Sequence, residues 1–204
     1  MKVAALYDVH GMPWALEAVL AEVNDTDAIV FGGDLTGPCT DETLELARSV
    51  EATWIRGNGE ELYDWGRELP LAVELDGVTY CHATLTANTP MTTVFTPDDD
   101  LHAMFGDEGT FVIGHTHHQF DRRVGELRVV NAGSVGMPYE GEVAAFWALV
   151  VDGEPEFRKT AIDVERAVAG IRASGWEGGE AFIAENLLIA VDRDEAARHF
   201  ESRR

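Results

Sequence analysis

Five short, mostly apolar runs in this sequence each end in a residue with a carboxylate, amide or imidazole side chain. The residues that follow the runs are Asp8, Asp34, Asn58, His82 and His115. Runs of this length are typical of buried strands, and apolar residues at helical spacing lie between several of them. Strands that alternate with helices favour an α/β fold, in which residues beyond the carboxyl ends of the strands share one crevice. The sequence therefore predicts that these five side chains converge.

The predicted secondary structure alternates between short strands and helices. Asp76-Gly77 lies between two strand-like runs and predicts a tight hairpin turn, and the later strands are expected to pair in an antiparallel or mixed manner. The expected strands are 2–7, 28–31, 53–56, 71–75, 78–81, 110–113, 120–124, 127–130, 143–151 and 156–161. The expected helices are a segment with Leu16, Val19, Leu20 and Val23 on one face, 41–50, 98–105 with Thr96 as its cap, and a helical region from 163 onward.

Length and composition favour one folded domain. With 204 residues, 46% of them hydrophobic, the chain can bury a core without disulfide bonds. We expect a single domain over 1–204, with a core of about 1–162 and a helical C-terminal extension of about 163–204. In that extension Val164, Ala167, Val168 and Ile171 are spaced to form one buried face. The sequence leaves the number of subunits open.

The charge of the chain excludes some classes of partner. Fifteen basic and 37 acidic residues give a net charge of −22, which repels phosphate backbones and anionic membranes, so we expect no general nucleic-acid coat. The longest apolar run, 143–151, is too short to span a membrane. The two cysteines, Cys39 and Cys81, fit a reducing compartment. We therefore expect a cytoplasmic protein without a membrane partner.

Seven side chains near the strand ends have the chemistry of metal ligands. If the backbone is extended there, Asp8 and His10 point the same way, as do His115 and His117. Carboxylate, imidazole and amide donors without thiolate suit Mn, Fe, Co, Ni or Zn. Seven donors exceed the need of one tetrahedral ion and suit two ions that share a bridging carboxylate. The seven are Asp8, His10, Asp34, Asn58, His82, His115 and His117.

These motifs, in this order, resemble the calcineurin-like metallophosphoesterases. The motifs are Asp8-x-His10, Gly33-Asp34, Gly57-Asn58, His82 and Gly114-His115-x-His117. Asp8-Val9-His10-Gly11 and the segment 131–136 resemble the small bacterial and archaeal phosphodiesterase branch of that family. The resemblance covers residues 2 to about 151 and implies a two-sheet β-sandwich flanked by helices.

The resemblance also implies a dinuclear site and its chemistry. One divalent ion would be held by Asp8, His10, Asp34 and His117, and the other by Asp34, Asn58, His82 and His115. Asp34 is then the bridge, and Asn58 would bind a metal and also donate its amide to a phosphoryl oxygen. The implied reaction is in-line attack of a metal-bridging hydroxide on the phosphorus of a small phosphorylated substrate. The activity this favours is a phosphodiesterase.

One residue departs from the pattern of the family. Members with strong diesterase or protein-phosphatase activity usually carry histidine after the Gly-Asn pair, where this chain has Gly59. That imidazole would protonate the leaving oxygen, so its absence predicts weak action on poor leaving groups. Three nearby residues have open roles. Glu60 is expected to orient Asn58; Arg56 could contact a substrate phosphate or be solvated or ion-paired; His118 could replace the missing acid, although alternation turns it away from His117.

Two other functions are weighed against the phosphodiesterase. A metal-bearing interaction scaffold with little catalysis would explain the missing acid, but the full set of seven ligands argues against it. A phosphatase for phosphoproteins or dinucleoside polyphosphates is disfavoured by the acidic surface and by Gly59. Hydrolysis assays with added metal separate these alternatives.

Overall fold

The computed structural model describes residues 1–203, whose strands form two five-stranded sheets. In the first sheet, three parallel strands are extended on one side by an antiparallel pair. In spatial order this sheet contains β10 (Glu154–Thr160), β9 (Ala145–Val151), β1 (Lys2–Leu6), β2 (Ala28–Phe31) and β3 (Thr53–Trp54). Strands β1, β2 and β3 are the parallel ones, so their carboxyl ends lie at the same edge.

The second sheet is also mixed. Its three central strands are parallel, and each edge strand is antiparallel to its neighbour. In spatial order it contains β4 (Ala72–Leu75), β5 (Val78–Cys81), β6 (Glu108–Ile113), β8 (Glu126–Asn131) and β7 (Phe120–Val124). The turn between β4 and β5 is Asp76-Gly77, and both residues have positive φ, of 52° and 75°, as a tight hairpin requires.

Helices connect the strands and continue the chain after the last one. Before β6 they are α1 (Pro13–Leu20), α2 (Thr40–Arg48), the 3-10 turn Gly59–Leu62, α3 (Asp64–Arg67) and α4 (Asp98–Phe105). After β10 they are α5 (Val164–Ser174), α6 (Gly179–Phe182), the π-helical turn Ile183–Leu187 and α7 (Arg193–Glu201). Within the described residues, no helix is both long enough and apolar enough to cross a membrane.

The two faces of β1 bury different residues, and this sets the order of the layers. Ala4 and Leu6 pack in one core cluster with apolar side chains of α1, α2 and α5. Val3 and Ala5 point the other way and pack with side chains of β5, β6 and β8. Because neighbouring residues of a strand point to opposite faces, the two sheets face each other and these helices lie outside the first sheet.

The outer face of the second sheet is covered by α4. Leu101 and Phe105 of this helix are buried against Phe111 and Ile113 of β6 in a third core cluster. The molecule thus has helix, sheet, sheet and helix layers, and the predicted fold class, a β-sandwich flanked by helices, is confirmed.

The order of the predicted elements is confirmed, and the corrections concern their ends. The third strand is two residues long, Thr53–Trp54, where 53–56 was expected, and β1 ends at Leu6 rather than at residue 7. The expected cap of α4 is wrong: the hydroxyl of Thr96 donates to Glu201, and Pro97 occupies the capping position without a side-chain bond.

The C-terminal extension packs on the first layer of helices. Its helix α5 begins at the expected place, where the carboxylate of Asp163 accepts from the N–H of Arg166 at 2.9 Å. Ala167 and Ile171 are buried in the same core cluster as α1. The chain-wide division into a core of about 1–162 and an extension of about 163–204 stays a prediction, and Arg204 lies outside the described residues.

The contact between α5 and α1 tests this packing. A Cβ built on Gly170 of α5 would lie 1.9 Å from the indole ring of Trp14 in α1. We expect Gly170→Ala to lower the free energy of unfolding by about 1–3 kcal/mol because of this overlap, although alanine is the better helix former. Urea denaturation measures the change.

The control for that variant is the double substitution Gly170→Ala with Trp14→Leu, which removes the indole that alanine would meet. We expect Trp14→Leu to lower the free energy of unfolding less in the Gly170→Ala protein than in the original chain. A Gly170→Ala protein at least as stable as the original chain would contradict the packing described here.

Candidate metal centre

The residues expected to converge lie at the carboxyl ends of parallel strands from both sheets. Asp8 follows the end of β1 by two residues, Asp34 follows β2 by three, and His82 follows β5 directly. His115 follows β6 by two residues. The sandwich brings the ends of these strands together, so the two sheets contribute to one site.

The first group of ligand atoms is formed by Asp8, His10 and His117. Nε2 of His10 lies 3.0 Å from Nε2 of His117. Oδ1 of Asp8 lies 3.3 Å from Nε2 of His117 and 3.8 Å from Nε2 of His10. Three ligand atoms within 4.8 Å of one another can hold a cation, so the structure offers a possible metal-binding triad here.

The second group is formed by Asp34, His82 and His115, with Asn58 beside them. Nε2 of His82 lies 3.2 Å from Nδ1 of His115 and 3.2 Å from Oδ1 of Asn58. Oδ2 of Asp34 lies 3.7 Å from the same Nε2 atom. These atoms make a second possible triad, with an amide oxygen within reach.

Asp34, a member of the second triad, also lies close to the first. Its Oδ2 atom, 3.7 Å from His82, is also 3.9 Å from Nε2 of His10 in the first triad. Its Oδ1 atom accepts from the N–H of Gly59 at 2.7 Å, which fixes the plane of the carboxylate. Asp34 is therefore placed where a carboxylate shared by two ions would lie.

The hydrogen bonds of two imidazoles show that this arrangement fits a cation. Nδ1 of His82 bonds the carbonyl of Gly32 at 2.9 Å, and Nε2 of His115 bonds the carbonyl of Thr89 at 3.1 Å. A carbonyl only accepts, so both nitrogens donate, and in the neutral rings the opposite nitrogens carry lone pairs. Those two lone-pair nitrogens face each other at 3.2 Å. They repel unless a positive charge lies between them, which is the role of a metal ion or a proton.

The first triad gives the same indication. Nδ1 of His117 donates to the carbonyl of Met137 at 2.8 Å, which leaves Nε2 free to bind a cation. Oδ1 of Asp8 is buried and has no hydrogen-bond partner within the described part of the chain. Its Oδ2 accepts from the N–H of His115 at 2.9 Å. A buried carboxylate oxygen without a donor is costly, and a bound cation removes that cost.

Burial and charge set the protonation states that ligation requires. Burial, with the neighbouring imidazole of His117, lowers the pKa of His10 to about 4, and burial, with His82, lowers that of His115 to about 4. Burial opposes ionisation of Asp8, but the imidazole of His117 still holds its pKa well below the usual range. Burial lowers the pKa of His82, but the carboxylates of Asp34 and Asp8 outweigh it and raise the pKa. Metal ligands must be deprotonated. His10, His115 and Asp8 are therefore poised for ligation near neutral pH, whereas ligation by His82 requires the loss of a proton that its surroundings favour.

The ligand residues reach the site through a strained backbone. Asp8, His10, Asp34, His115 and His117 all have left-handed φ values, between 48° and 67°. The expectation that an extended backbone aligns each pair is therefore wrong: in Asp8-Val9-His10 and in His115-Thr116-His117, the ligand positions are left-handed. Such conformations cost roughly 1–2 kcal/mol per residue and cluster at functional sites.

Two glycines permit the close approach of the loops. A Cβ on Gly57 would lie 2.3 Å from Oδ1 of Asp34, and a Cβ on Gly114 would lie 2.4 Å from Oδ2 of Asp8. Only glycine fits where a backbone approaches a carboxylate this closely. This agrees with the sequence-based reason for glycine just before the ligands.

Glu60 organises the backbone around Asp34 rather than the side chain of Asn58. Its carboxylate is fully buried and accepts from the N–H groups of Asp34 and Leu35, at 2.7 Å each, and of Gly57 at 2.9 Å. Burial and the charge of Asp34 raise the pKa of this carboxyl. By tying the loop after β2 to the loop after β3, Glu60 positions Asn58 through its preceding residue.

The contacts of Arg56 and His118 are with residues outside the two triads. The guanidinium of Arg56 donates to the carbonyl of Arg67 at 3.0 Å, so the structure places it against α3. His118 is fully buried, bonds the carbonyl of Thr116 through Nδ1 and packs against the ring of Phe120. These contacts do not favour a substrate role for either residue, and both roles stay predictions.

Sequence reasoning missed the structural importance of the segment 131–136. The amide of Asn131 donates to the carbonyl of Gly114 at 2.7 Å and to the hydroxyl of Thr116 at 3.0 Å, on either side of His115. The hydroxyl of Ser134 donates to the carbonyl of Asp8 at 2.7 Å. This segment therefore positions both ligand loops. The polar residues Asn131 and Ser134 could have been noticed in the sequence as candidate hydrogen-bonding residues. Their partners, however, depend on the tertiary fold.

The position of the missing histidine is partly filled by another side chain. A Cβ on Gly59 would lie 2.8 Å from Oγ1 of Thr36 and 3.2 Å from Oδ1 of Asp34. A hydroxyl group thus stands next to the place where a larger residue 59 would begin. A side chain at position 59 would therefore meet the hydroxyl of Thr36.

Comparison with known proteins identifies the family and agrees with the fold. The model of the calcineurin-like phosphoesterase superfamily domain matches residues 1–154, so the chain belongs to this family. The predicted resemblance is confirmed, and the family together with the two triads supports phosphoester hydrolysis as the general activity. A search of the curated proteins finds no match.

Solved structures show where the same fold occurs. A metallophosphoesterase from Sphaerobacter thermophilus is similar with a TM-score of 0.78 and 20% identity, covering 94% of this chain and all of the other. A hypothetical protein from Pyrococcus horikoshii OT3 is similar with a TM-score of 0.76 and 17% identity, covering 91% of this chain and 98% of the other. A phosphoesterase from E. coli is similar with a TM-score of 0.52 and 20% identity, covering 80% of this chain and 100% of its own length. At these identities the similarity is one of fold.

The lowered pKa values predict how the metal-free protein responds to acid. His10 and His115 have pKa values of about 4 when folded and about 6.5 when unfolded. Between these values the unfolded chain binds more protons, so stability falls as the pH falls from 6.5 to 4. His82, whose pKa is raised, acts in the opposite direction near pH 6.5 and adds little slope once the unfolded residue is also protonated, below about pH 5.5. We expect His10→Asn to flatten the dependence by about 1.4 kcal/mol per pH unit.

The measurement is urea unfolding of chelator-treated protein at several pH values. His115→Asn should behave like His10→Asn, and His102→Asn, on α4 away from the triads, is the matched control. Equal slopes for the original chain and both site variants would contradict the protonation states described above.

Proposed function

We propose that this chain is a phosphodiesterase that works with two divalent ions. Asp8, His10 and His117 would hold one ion, His82, His115 and Asn58 would hold the other, and Asp34 would be shared by both. The observation that carries this proposal is the placement of Asp34 Oδ2 at 3.9 Å from His10 and 3.7 Å from His82, between the two triads. The donor set without thiolate fits Mn, Fe, Co, Ni or Zn.

The residues of the site divide the work between binding and positioning. Divalent ions supply Lewis-acid chemistry when bound: they activate water and neutralise charge on phosphoryl oxygens. Asn58 turns its amide oxygen towards His82, at 3.2 Å, which leaves its N–H groups available for a phosphoryl oxygen. Glu60 holds the backbone of Asp34 and Gly57 so that these groups need not reorganise during the reaction.

Three features favour a diester with a good leaving group over a stable monoester. Gly59 offers no proton donor, Arg56 bonds the carbonyl of Arg67, and the net charge of −22 disfavours dianionic substrates. The same features argue against phosphoproteins and dinucleoside polyphosphates. The substrate proposed is therefore a small phosphorylated molecule carrying one negative charge.

The second candidate function is an interaction scaffold that binds metal and catalyses little. The observation that favours it is Thr36 next to Gly59, because this hydroxyl crowds the position of the acid. The strained conformations of five ligand residues serve metal binding, which both functions require, so turnover separates the two. We further propose that the protein acts in the cytoplasm, because its two cysteines are both free.

Metal-dependent turnover tests the proposed function. We expect bis(4-nitrophenyl) phosphate to be hydrolysed when Mn²⁺, Ni²⁺ or Zn²⁺ is added, and much more slowly after chelation. Asp34→Ala and His82→Ala should each lower kcat/KM by at least about 10²-fold, because each removes a ligand that orients the reacting groups. His102→Ala is the matched control and should keep its activity. A wild-type protein that binds metal yet shows no turnover would favour the scaffold.

The crowding at Gly59 makes a separate prediction about leaving groups. A series of aryl methyl phosphates should show kcat/KM falling steeply as the pKa of the leaving phenol rises. We expect Gly59→His together with Thr36→Ala to make this dependence shallower and to raise the rate on unsubstituted phenyl esters about 10- to 100-fold. Gly59→His alone should gain less, because its Cβ meets Thr36.

Thr36→Ala alone is the control for that pair, and it should leave the steep dependence in place. A shallow dependence in the original chain would show that another residue already donates the proton, and His118 would then be the first residue to replace.

A further inference from the structure

The C-terminal extension contacts both loops that hold the imidazole ligands. The hydroxyls of Thr93 and Thr96 each donate to Glu201 of α7 at 2.6 Å. They belong to the segment between β5 and α4, whose Thr89 carbonyl bonds His115. The N–H of Gly141, which follows the loop of Tyr139, donates to the carbonyl of Val191 at 2.8 Å. The extension is therefore fastened to the rim of the candidate metal centre.

Tyr139 links the extension to the first triad. Its ring stacks on the imidazole of His117 with 5.1 Å between centroids and 28° between planes. The ring of Phe200, on α7, lies 5.9 Å from Tyr139 at 33°. A metal ligand, a tyrosine and a residue of the extension thus follow one another in contact.

A cavity of about 400 Å³ lies beside this aromatic series. Tyr139 and Phe200 line it with their rings, and Asn186 and His199 add polar groups. Glu185 and Glu195 add two carboxylates, and no lysine or arginine is among the described residues that line it. The volume is within the range of small-molecule sites.

The chemistry of these walls favours one kind of occupant. Aromatic rings bind planar groups through offset stacking or edge contacts. Two carboxylates without a cation repel anions and favour neutral or positively charged groups. A second phosphate or a carboxylate is therefore disfavoured in this cavity, whereas the phosphorus itself belongs with the ligand triads.

We propose that this cavity binds one organic group of the substrate and selects for a planar, neutral or cationic group. The inference rests on the proposed function, because the ester is placed by the metal centre. Phe200 and Glu185 are then specificity-determining residues. Both lie outside residues 1–154, which the family model matches, so they belong to the C-terminal extension.

The test compares three diesters as competitive inhibitors of bis(4-nitrophenyl) phosphate hydrolysis: diphenyl, dimethyl and bis(4-carboxyphenyl) phosphate. We expect the order of inhibition to be diphenyl first, with the other two weaker. Phe200→Ala should weaken inhibition by diphenyl phosphate roughly three- to tenfold, which is the effect of one aromatic contact. Inhibition by dimethyl phosphate should be unchanged. Glu185→Gln should strengthen inhibition by bis(4-carboxyphenyl) phosphate. It should leave the inhibition constant of diphenyl phosphate within about twofold of its original value.

Matched controls use the same substitutions elsewhere on the surface. Phe157→Ala on β10 and Glu165→Gln on α5 change exposed residues outside the cavity and should not alter the order of the inhibitors. Thermal unfolding of each variant shows that it is folded. Calorimetric titration of the metal-loaded protein with diphenyl phosphate gives the same comparison without turnover.

The possible results separate the two proposals. No turnover by any metal form overturns the proposed function, while the calorimetric titration still tests the cavity. Turnover with equal inhibition by diphenyl and dimethyl phosphate, or with Phe200→Ala and Phe157→Ala behaving alike, overturns the cavity proposal. Unchanged binding of bis(4-carboxyphenyl) phosphate by Glu185→Gln overturns the proposed selection by charge.

Discussion

The repulsion between facing imidazole nitrogens is the constraint on which the rest of the site depends. Backbone carbonyls bind the outer nitrogens of His82 and His115, so the inner nitrogens oppose each other at 3.2 Å. Only a positive charge makes this arrangement stable. The unpartnered oxygen of Asp8 demands a positive charge in the other triad. The sandwich fold brings four strand ends together. The close approach of the ligand side chains at these ends is stabilised by cations between them.

Much of the fold and of the ligand set could be predicted because both depend on local patterns. Apolar runs locate strands, and Asp34, His82 and His115 follow those runs closely in sequence. The backbone conformation at the site could not be read in this way. Left-handed φ values at Asp8 and His117 occur together with hydrogen bonds between distant segments, such as those from Ser134 to the carbonyl of Asp8 and from His117 to the carbonyl of Met137. The length of the third strand was overestimated because its pairing with β2 ends at Trp54, although the N–H of the buried Ile55 still donates to the carbonyl of Phe31 at 2.9 Å.

The roles of residues near the ligands were the least predictable from sequence. Glu60 binds three backbone N–H groups from two loops, and Tyr139 stacks on His117 from a segment with no recognised motif. Each contact joins elements that are far apart in the chain, so no periodicity or residue spacing in the sequence predicts it. The extension follows the same principle. Helical spacing predicted the buried face of α5, but not that α7 would meet the rim of the site through Phe200 and Glu201.

The count of bound ions tests the central claim most directly. Chelator-treated protein, dialysed against Mn²⁺ or Zn²⁺ at neutral pH, should take up two ions per chain, as measured by elemental analysis. His115→Ala should lower this number to about one, because it removes a ligand from only one triad. Uptake of no ion by the folded original chain would mean that protons relieve the repulsion between the imidazoles, and the dinuclear account would be wrong.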